Sequence, residues 1–465
     1  MTGSEVSAAA GDVTTVVAKL LARPVTPDAL DSARVRLADT VFAALIGLRT
    51  AQGQASTTLA ESMYGKSGSL AGQLFRTVAA VRMTEIDDVD LLSCTTPGSV
   101  VIPVMLALSA HGLVADASDS GLDRVLEIIA RGYDLVTGLG EAIDGPNRLA
   151  EGVWPTLAVA PVAAATIAGL ALGFDDARLA QAVVLAGFTR QDGNPRGNAR
   201  ETMLAGSVVA GVQAALSVEQ GITVTARGSE VPFAELLQAT PEPGVTAAVG
   251  RAAIKHFCSA RQVMTAVAAV RVLTADGQAA VGPVIVEVPP AYARMIDKPA
   301  VASRRESLAS AQYQLAAALV DPARLLDVDR GDLRLDDTFR AVMDRISVRA
   351  AEDLRASYPR RWPARVRISA GGAELCEVAD EVPGEGECGV PALERKFAAF
   401  AATPDALDAG VADEVIKRAV AGTAAGDLRA LNCLLSSEGG RTADARVKGL
   451  SRTRRTSGRR RHPGK

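Results

Sequence analysis

From residue 10 to about 250, apolar positions recur every three or four residues, the spacing of amphipathic helices. TPDALDSARVRLADTVFAALIGL (26–48) opens on a threonine cap with proline in the first turn. The same period predicts helices over 99–113, 119–143, 175–188 and 201–221, two of them ending at Gly112 and Gly221. The stretch 155–173, PTLAVAPVAAATIAGLALG, has no polar face at all. Its Ala, Gly and Thr content and two prolines point to a helix buried on all sides rather than one spanning a bilayer.

The pattern changes near 280. GPVIVEVPP (282–290), DRISVRA (344–350), ARVRISA (364–370) and ELCEVAD (374–380) read as strands, with helices between them over 309–320 and 335–345. After Pro391 helical spacing returns over 392–401, 410–422 and 426–435. The expected class is mainly α with an α+β second domain. A large all-helical domain is formed by both chain ends, 1–264 and 396–436, and a smaller α+β domain, 265–395, is inserted between them. Residues 437–465 form a basic tail, dense in arginine from 446 onward, expected to be disordered and solvated.

Composition narrows the function class more than it defines one. The chain has 465 residues, 48% of them hydrophobic, enough for two or three domains with large cores. The 50 basic and 53 acidic residues give a net charge of −3, which offers no global footprint for nucleic acid or an acidic membrane surface. The five cysteines, Cys94, Cys258, Cys376, Cys388 and Cys433, are scattered, and no pair has metal-ligand spacing, so neither a disulfide framework nor a metal site is expected. The first residues lack a basic, then apolar, leader pattern. A cytoplasmic protein without membrane or nucleic-acid partners is expected.

Three segments concentrate chemistry. EIDDVDLLSCTTPGS (85–99) places Glu85, Asp87, Asp88 and Asp90 within six residues, ahead of a helix whose first amides can hold an anion. IKHFCSAR (254–261) packs Lys255, His256, Cys258 and Arg261 into eight residues where the helical part gives way to the α+β part. SAQYQLAAAL (310–319) interrupts an apolar helix with Tyr313 and Gln314. Each also has a plain structural reading, as a capped acidic loop, a polar junction and a core aromatic. His111 at a helix end and His462 in the tail read as structural or incidental.

These segments, with LADTVFAALIGL, GVWPTLAVAPVAAATIAGLALGFDDARLAQAVVLAGF and SLASAQYQLAAALVDP, occur in an order and spacing that resembles the MmgE/PrpD family of 2-methylcitrate dehydratase and cis-aconitate decarboxylase. The resemblance runs from about residue 13 to 436. It implies a helical domain with an α+β lid, usually homodimeric, binding di- or tricarboxylates between the domains without metal or organic cofactor. Carried over position by position, it puts Glu85 where the family has aspartate, with Asp87 and Asp88 matching the paired acids. Thr96 and Trp154 stand where the family expects histidines, and Glu201 where it expects lysine. Lys255 and Tyr313 match, and Ala260 replaces a histidine of some members.

The resemblance therefore implies an altered site. An indole N–H donates a hydrogen bond but exchanges no proton near neutral pH. The catalytic candidates are Tyr313 as proton donor, Lys255 as anion anchor, and His256, Glu85, Asp87 or Asp88 as base. Thr96, Trp154, Glu201, Arg261 and Arg200 are expected to line the substrate. The leading expectation is a lyase acting on a less anionic or more hydrophobic small carboxylic acid, by elimination, decarboxylation or isomerisation, suited to a specialised secondary-metabolic pathway. The alternatives are a catalytically inactive descendant that binds a ligand or partner subunit, and the family's standard activity carried by other residues.

Overall fold

The computed structural model describes residues 12–437, apart from 66–67, 116–120, 192, 194–198, 239–246, 276–281, 371–372, 383–388, 402, 404–406 and 423–425. The basic tail, His462 and Cys388 lie outside the described residues. Helices dominate up to residue 273. Those of more than twelve residues are Pro27–Arg49, Ala51–Tyr64, Leu70–Thr84, Gly98–Ala110, Gly121–Ala142, Pro155–Ala171, Ala199–Glu219 and Arg261–Leu273.

Thr26 caps the first of these by accepting from Ala29 N–H, and Pro27 occupies its first turn, where a missing N–H costs nothing. Pro155–Ala171 is buried along nearly its whole length, so its uniform apolarity reflects core position. Ala199–Glu219 is the one described helix long and apolar enough to cross a membrane, and most of it is buried within the protein.

Small residues let these axes approach closely. A Cβ on Gly211 would lie 2.3 Å from the Pro161 carbonyl oxygen, and one on Gly47 would lie 2.0 Å from that of Ala80. Glycine is therefore required where Ala199–Glu219 crosses Pro155–Ala171 and where Pro27–Arg49 crosses Leu70–Thr84. These crossings fix the helix ends that carry Arg82, Trp154 and Arg200.

Four strands, β1 (Val284–Val288), β2 (Ile346–Ala350), β3 (Ala364–Ala370) and β4 (Ala373–Ala379), form a mixed sheet in the order β2-β1-β3-β4. β1 and β2 run parallel, and the crossover between them holds the Ala311–Val320 helix. β1 pairs antiparallel with β3, with Val286 opposite Val366, so the alternate valines and isoleucines of both strands share one buried face. On the opposite face Glu287 accepts from Arg365 (2.6 Å) and Arg367 (3.2 Å).

Buried apolar side chains gather into two clusters. One holds the helices before residue 260 together with Ala392, Leu393, Phe397 and Phe400 from Val390–Ala401. The other holds the sheet, Arg261–Leu273 and Ala311–Val320. The chain's late return to the first cluster is direct: Phe397 stacks on Phe42 with ring centroids 3.7 Å apart.

Candidate functional site

The acidic segment begins where Leu70–Thr84 ends. Glu85 takes a left-handed conformation (φ 53°), which reverses the chain and points its carboxylate back toward the helix. A non-glycine residue there is uncommon and needs support from its surroundings. Val89 then forms a two-way backbone bridge with Ala253 (3.2 and 2.8 Å). That bridge brings the 253–260 segment alongside and sets Lys255 against Glu85, 170 residues away in sequence.

The support for Glu85 is cationic. Arg82 Nη2 donates to Glu85 Oε1 at 2.6 Å, Arg200 Nη1 to the same oxygen at 3.2 Å, and Lys255 Nζ to Oε2 at 3.2 Å. Arg82 Nη1 also pairs with Asp87 Oδ1, from which Lys255 Nζ lies 4.0 Å. The charge of Glu201 acts on both Arg82 and Arg200. Three cations thus face three carboxylates in a cluster that is buried except for the half-buried Arg200.

Trp154 is part of this cluster. It precedes the first turn of Pro155–Ala171, is 2% exposed, and its backbone N–H donates to Gly193. The Arg200 guanidinium lies 3.8 Å from its ring centroid and that of Arg82 lies 5.6 Å away. The indole covers the cations with an apolar, electron-rich face. Thr96 lies near the same helix start: its N–H donates to Thr156 Oγ1 (3.1 Å), and its hydroxyl lies 3.0 Å from Ser99 Oγ.

The two leading carboxylates are held differently. Burial raises the pKa of Glu85, but Arg82, Lys255 and Arg200 outweigh it and hold the group well below the usual range. Burial also raises that of Asp87, and here Arg82 and Lys255 do not outweigh it, with Glu85 adding to the rise. Asp87 Oδ2 is buried and has no hydrogen-bond partner among the described residues. A permanently ionised carboxylate beside one closer to accepting a proton is the division that acid–base chemistry uses.

Asp88 faces another way. Its Oδ1 accepts from Gly98 N–H (2.9 Å) and its Oδ2 from the Tyr133 hydroxyl (2.5 Å). Burial pushes its pKa up to about 6, against the pull of Arg36. The anion-holding helix start expected after Pro97 is thus taken by the protein's own carboxylate.

Other candidates lie in separate surroundings. The charges acting on His256 are those of Lys396, Asp39 and Arg395, and burial lowers its pKa to about 4, so the imidazole is neutral at pH 7. Arg261 opens its helix inside the second cluster, donating to Thr265 Oγ1 at 3.3 Å. Tyr313 is buried there as well, its ring 5.2 Å from Phe339 and 5.2 Å from the Arg330 guanidinium. It connects to the acidic segment only through intermediaries. Arg330 Nη2 donates to Cys258 O (2.6 Å), and Cys258 Sγ donates to Thr84 O (2.8 Å). The structure therefore gathers Glu85, Asp87, Lys255, Arg200, Glu201 and Trp154, and sets Tyr313, Arg261 and His256 apart from them.

Sequence reasoning missed Arg82, Asp39 and Lys396. Lys396 Nζ pairs with Asp39 and donates to Ile86 O (2.5 Å), with both side chains fully buried. Ile86 lies between Glu85 and Asp87, so Lys396 anchors the segment's backbone. The only local signal for Arg82 was a charge three residues before Glu85 in an otherwise apolar run.

Compared with known families, residues 11–234 match the MmgE/PrpD N-terminal domain and residues 257–419 match the MmgE/PrpD C-terminal domain. No curated protein matches the chain.

Proposed function

The chain belongs to the MmgE/PrpD family, and from that premise we propose that it is a lyase with an altered site, acting on a small molecule bearing at most one carboxylate. The observation that carries this reading is Asp87. It is a buried carboxylate with one oxygen pinned by Arg82, the other unpartnered, and burial favouring its protonated form. Asp87 takes a proton from a carbon next to an activating group. The released electron pair forms a double bond as the leaving group departs, or the proton returns at another carbon. Lys255 gives one of its three N–H donors to Glu85 and has others for the substrate carboxylate.

Charge balance argues for the smaller substrate. Arg82, Arg200 and Lys255 already face Glu85, Asp87 and Glu201, and Arg305, whose charge also acts on Arg200, adds one further cation, too few for three carboxylates. Trp154 in place of an imidazole adds apolar surface. In this reading the chain has a helical domain built from both ends and an α+β lid, and works as a cytoplasmic homodimer in a specialised pathway.

A second reading is favoured by the same ion pairs. With the cations internally neutralised and Arg200 laid over Trp154, the cluster can belong to a catalytically silent subunit that binds a ligand or partner. Turnover separates the two. Purified protein is incubated with mono-, di- and tricarboxylic acids, both hydroxylated and unsaturated, including 2-methylcitrate and cis-aconitate, and products are followed by mass spectrometry. Turnover of a monocarboxylate, abolished in Asp87→Asn, supports the lyase. Binding without turnover across the panel supports the silent subunit, and turnover of tricarboxylates alone removes the altered-substrate reading.

A further inference from the structure

Arg76 lies two turns before the acidic segment on the Leu70–Thr84 helix. It is 8% exposed, and among the described residues its buried Nε has no hydrogen-bond partner and no ion pair holds its guanidinium. Other buried arginines are held through most of their nitrogens: Arg36 bonds the carbonyls of Val249 and Ala252 and Arg82 its two carboxylates, each leaving one nitrogen unpartnered, and Arg330 bonds the carbonyls of Asp327 and Cys258. A buried guanidinium left without acceptors is costly, and the cost is removed by an acceptor from outside the chain.

Arg76 opens onto a small cleft of about 50 Å³ between the Ala51–Tyr64 and Leu70–Thr84 helices, whose walls include Glu61, Ser69, Gly72 and Gln73. Ser69, Gly72, Gln73 and Arg76 fall at helical spacing, so they share one face. The Ser69 hydroxyl accepts from Gly72 N–H at 3.2 Å, which leaves its own proton to donate. Glu61 is near enough for its charge to act on Arg76, but it forms no ion pair with it. The cleft thus offers a forked cationic donor, a hydroxyl donor and one carboxylate acceptor.

We propose that this cleft binds a phosphate group, with Arg76 and Ser69 donating to its oxygens and a P–OH donating to Glu61. Arginine's planar fork matches phosphate oxygens in pairs, and a protonated phosphate is the oxyanion that tolerates Glu61 in the wall. The site lies apart from the Glu85 cluster and does not depend on the reaction assigned there.

The test is calorimetric titration of the full chain with inorganic phosphate, and separately with acetate. Phosphate is expected to bind, Arg76→Gln to weaken it at least tenfold, and Arg76→Lys, which keeps the charge and guards against misfolding, to weaken it less. Lys255→Met should leave the isotherm unchanged, since that lysine belongs to the other cluster. Loss of phosphate binding in Lys255→Met with retention in Arg76→Gln would overturn the proposal. So would acetate binding as tightly as phosphate, or no phosphate binding by the unmodified chain.

Discussion

The guanidinium of Arg200 lies 3.8 Å from the centre of the Trp154 ring, and the same guanidinium donates to Glu85. The tryptophan therefore touches the acidic cluster through a shared cation rather than standing apart as inert filler. Burial, with repulsion from Arg82, lowers the pKa of Arg200 to about 10, while Glu85 opposes the drop. A cation under that strain benefits from an electron-rich surface against it.

Replacing Trp154 should expose this coupling. Trp154→Ala is expected to cost about 3–5 kcal/mol in urea unfolding, through the cavity it leaves. A double-mutant cycle with Arg200→Met should return a coupling of about 0.5–2 kcal/mol. Additive effects of the two substitutions would show that the stacking contributes nothing.

Asp87→Asn keeps the shape of the carboxylate and removes its basicity. It is expected to slow turnover about 10²–10⁴-fold while ligand affinity, read by thermal shift, changes little. In the unmodified chain, burial of Asp87 should move the acid limb of the kcat profile above the ordinary aspartate range. Undiminished turnover in the variant would reassign the base.

Asp88 makes a prediction about pH and stability. Its folded carboxyl, at about 6, binds a proton more tightly than the 3.8 of the unfolded chain. Its contribution is therefore most favourable below about pH 4, falls as pH rises to about 6, and is level above. The shift of roughly two units corresponds to about 3 kcal/mol. Asp88→Asn cannot titrate, so its stability relative to the unmodified chain should improve by about that amount between pH 4 and pH 7. A pH-independent difference would contradict the burial argument.

Lys396→Met leaves Asp39 as an uncompensated buried charge and releases the Ile86 carbonyl. The expected cost is about 3–5 kcal/mol. Pairing it with Asp39→Leu should recover much of that stability. If Ile86 needs its anchor, turnover stays low in the double variant even though the fold is restored.

Much of the framework was legible in the chain. The alternation in ARVRISA marks a strand that runs over Ala364–Ala370, and the Thr26-Pro27 start marks the helix that begins at Pro27. Both are set by local sequence period and capping chemistry, which act over a few residues. The site was legible only in part. Glu85, Asp87 and Lys255 stand out as a dense run and a junction lysine, but the direction of each side chain depends on the Val89–Ala253 bridge, which no local pattern encodes. Adjacent residues Lys255 and His256 meet different charges for that reason. Nothing local marks Lys396, because its partner Asp39 lies 357 residues earlier.

That long separation has a consequence in time. During synthesis the first helices, the acidic segment and Lys255 all leave the ribosome well before residue 396, and domains begin to fold as they emerge. Until the late helix arrives, Asp39 lacks its countercharge and Ile86 its anchor, so the stretch that carries Glu85 and Asp87 is held only by its earlier contacts. The last helices thus act as a completion signal: a chain cut short before them carries every candidate reacting group but lacks the one buried cation that holds the backbone between Glu85 and Asp87.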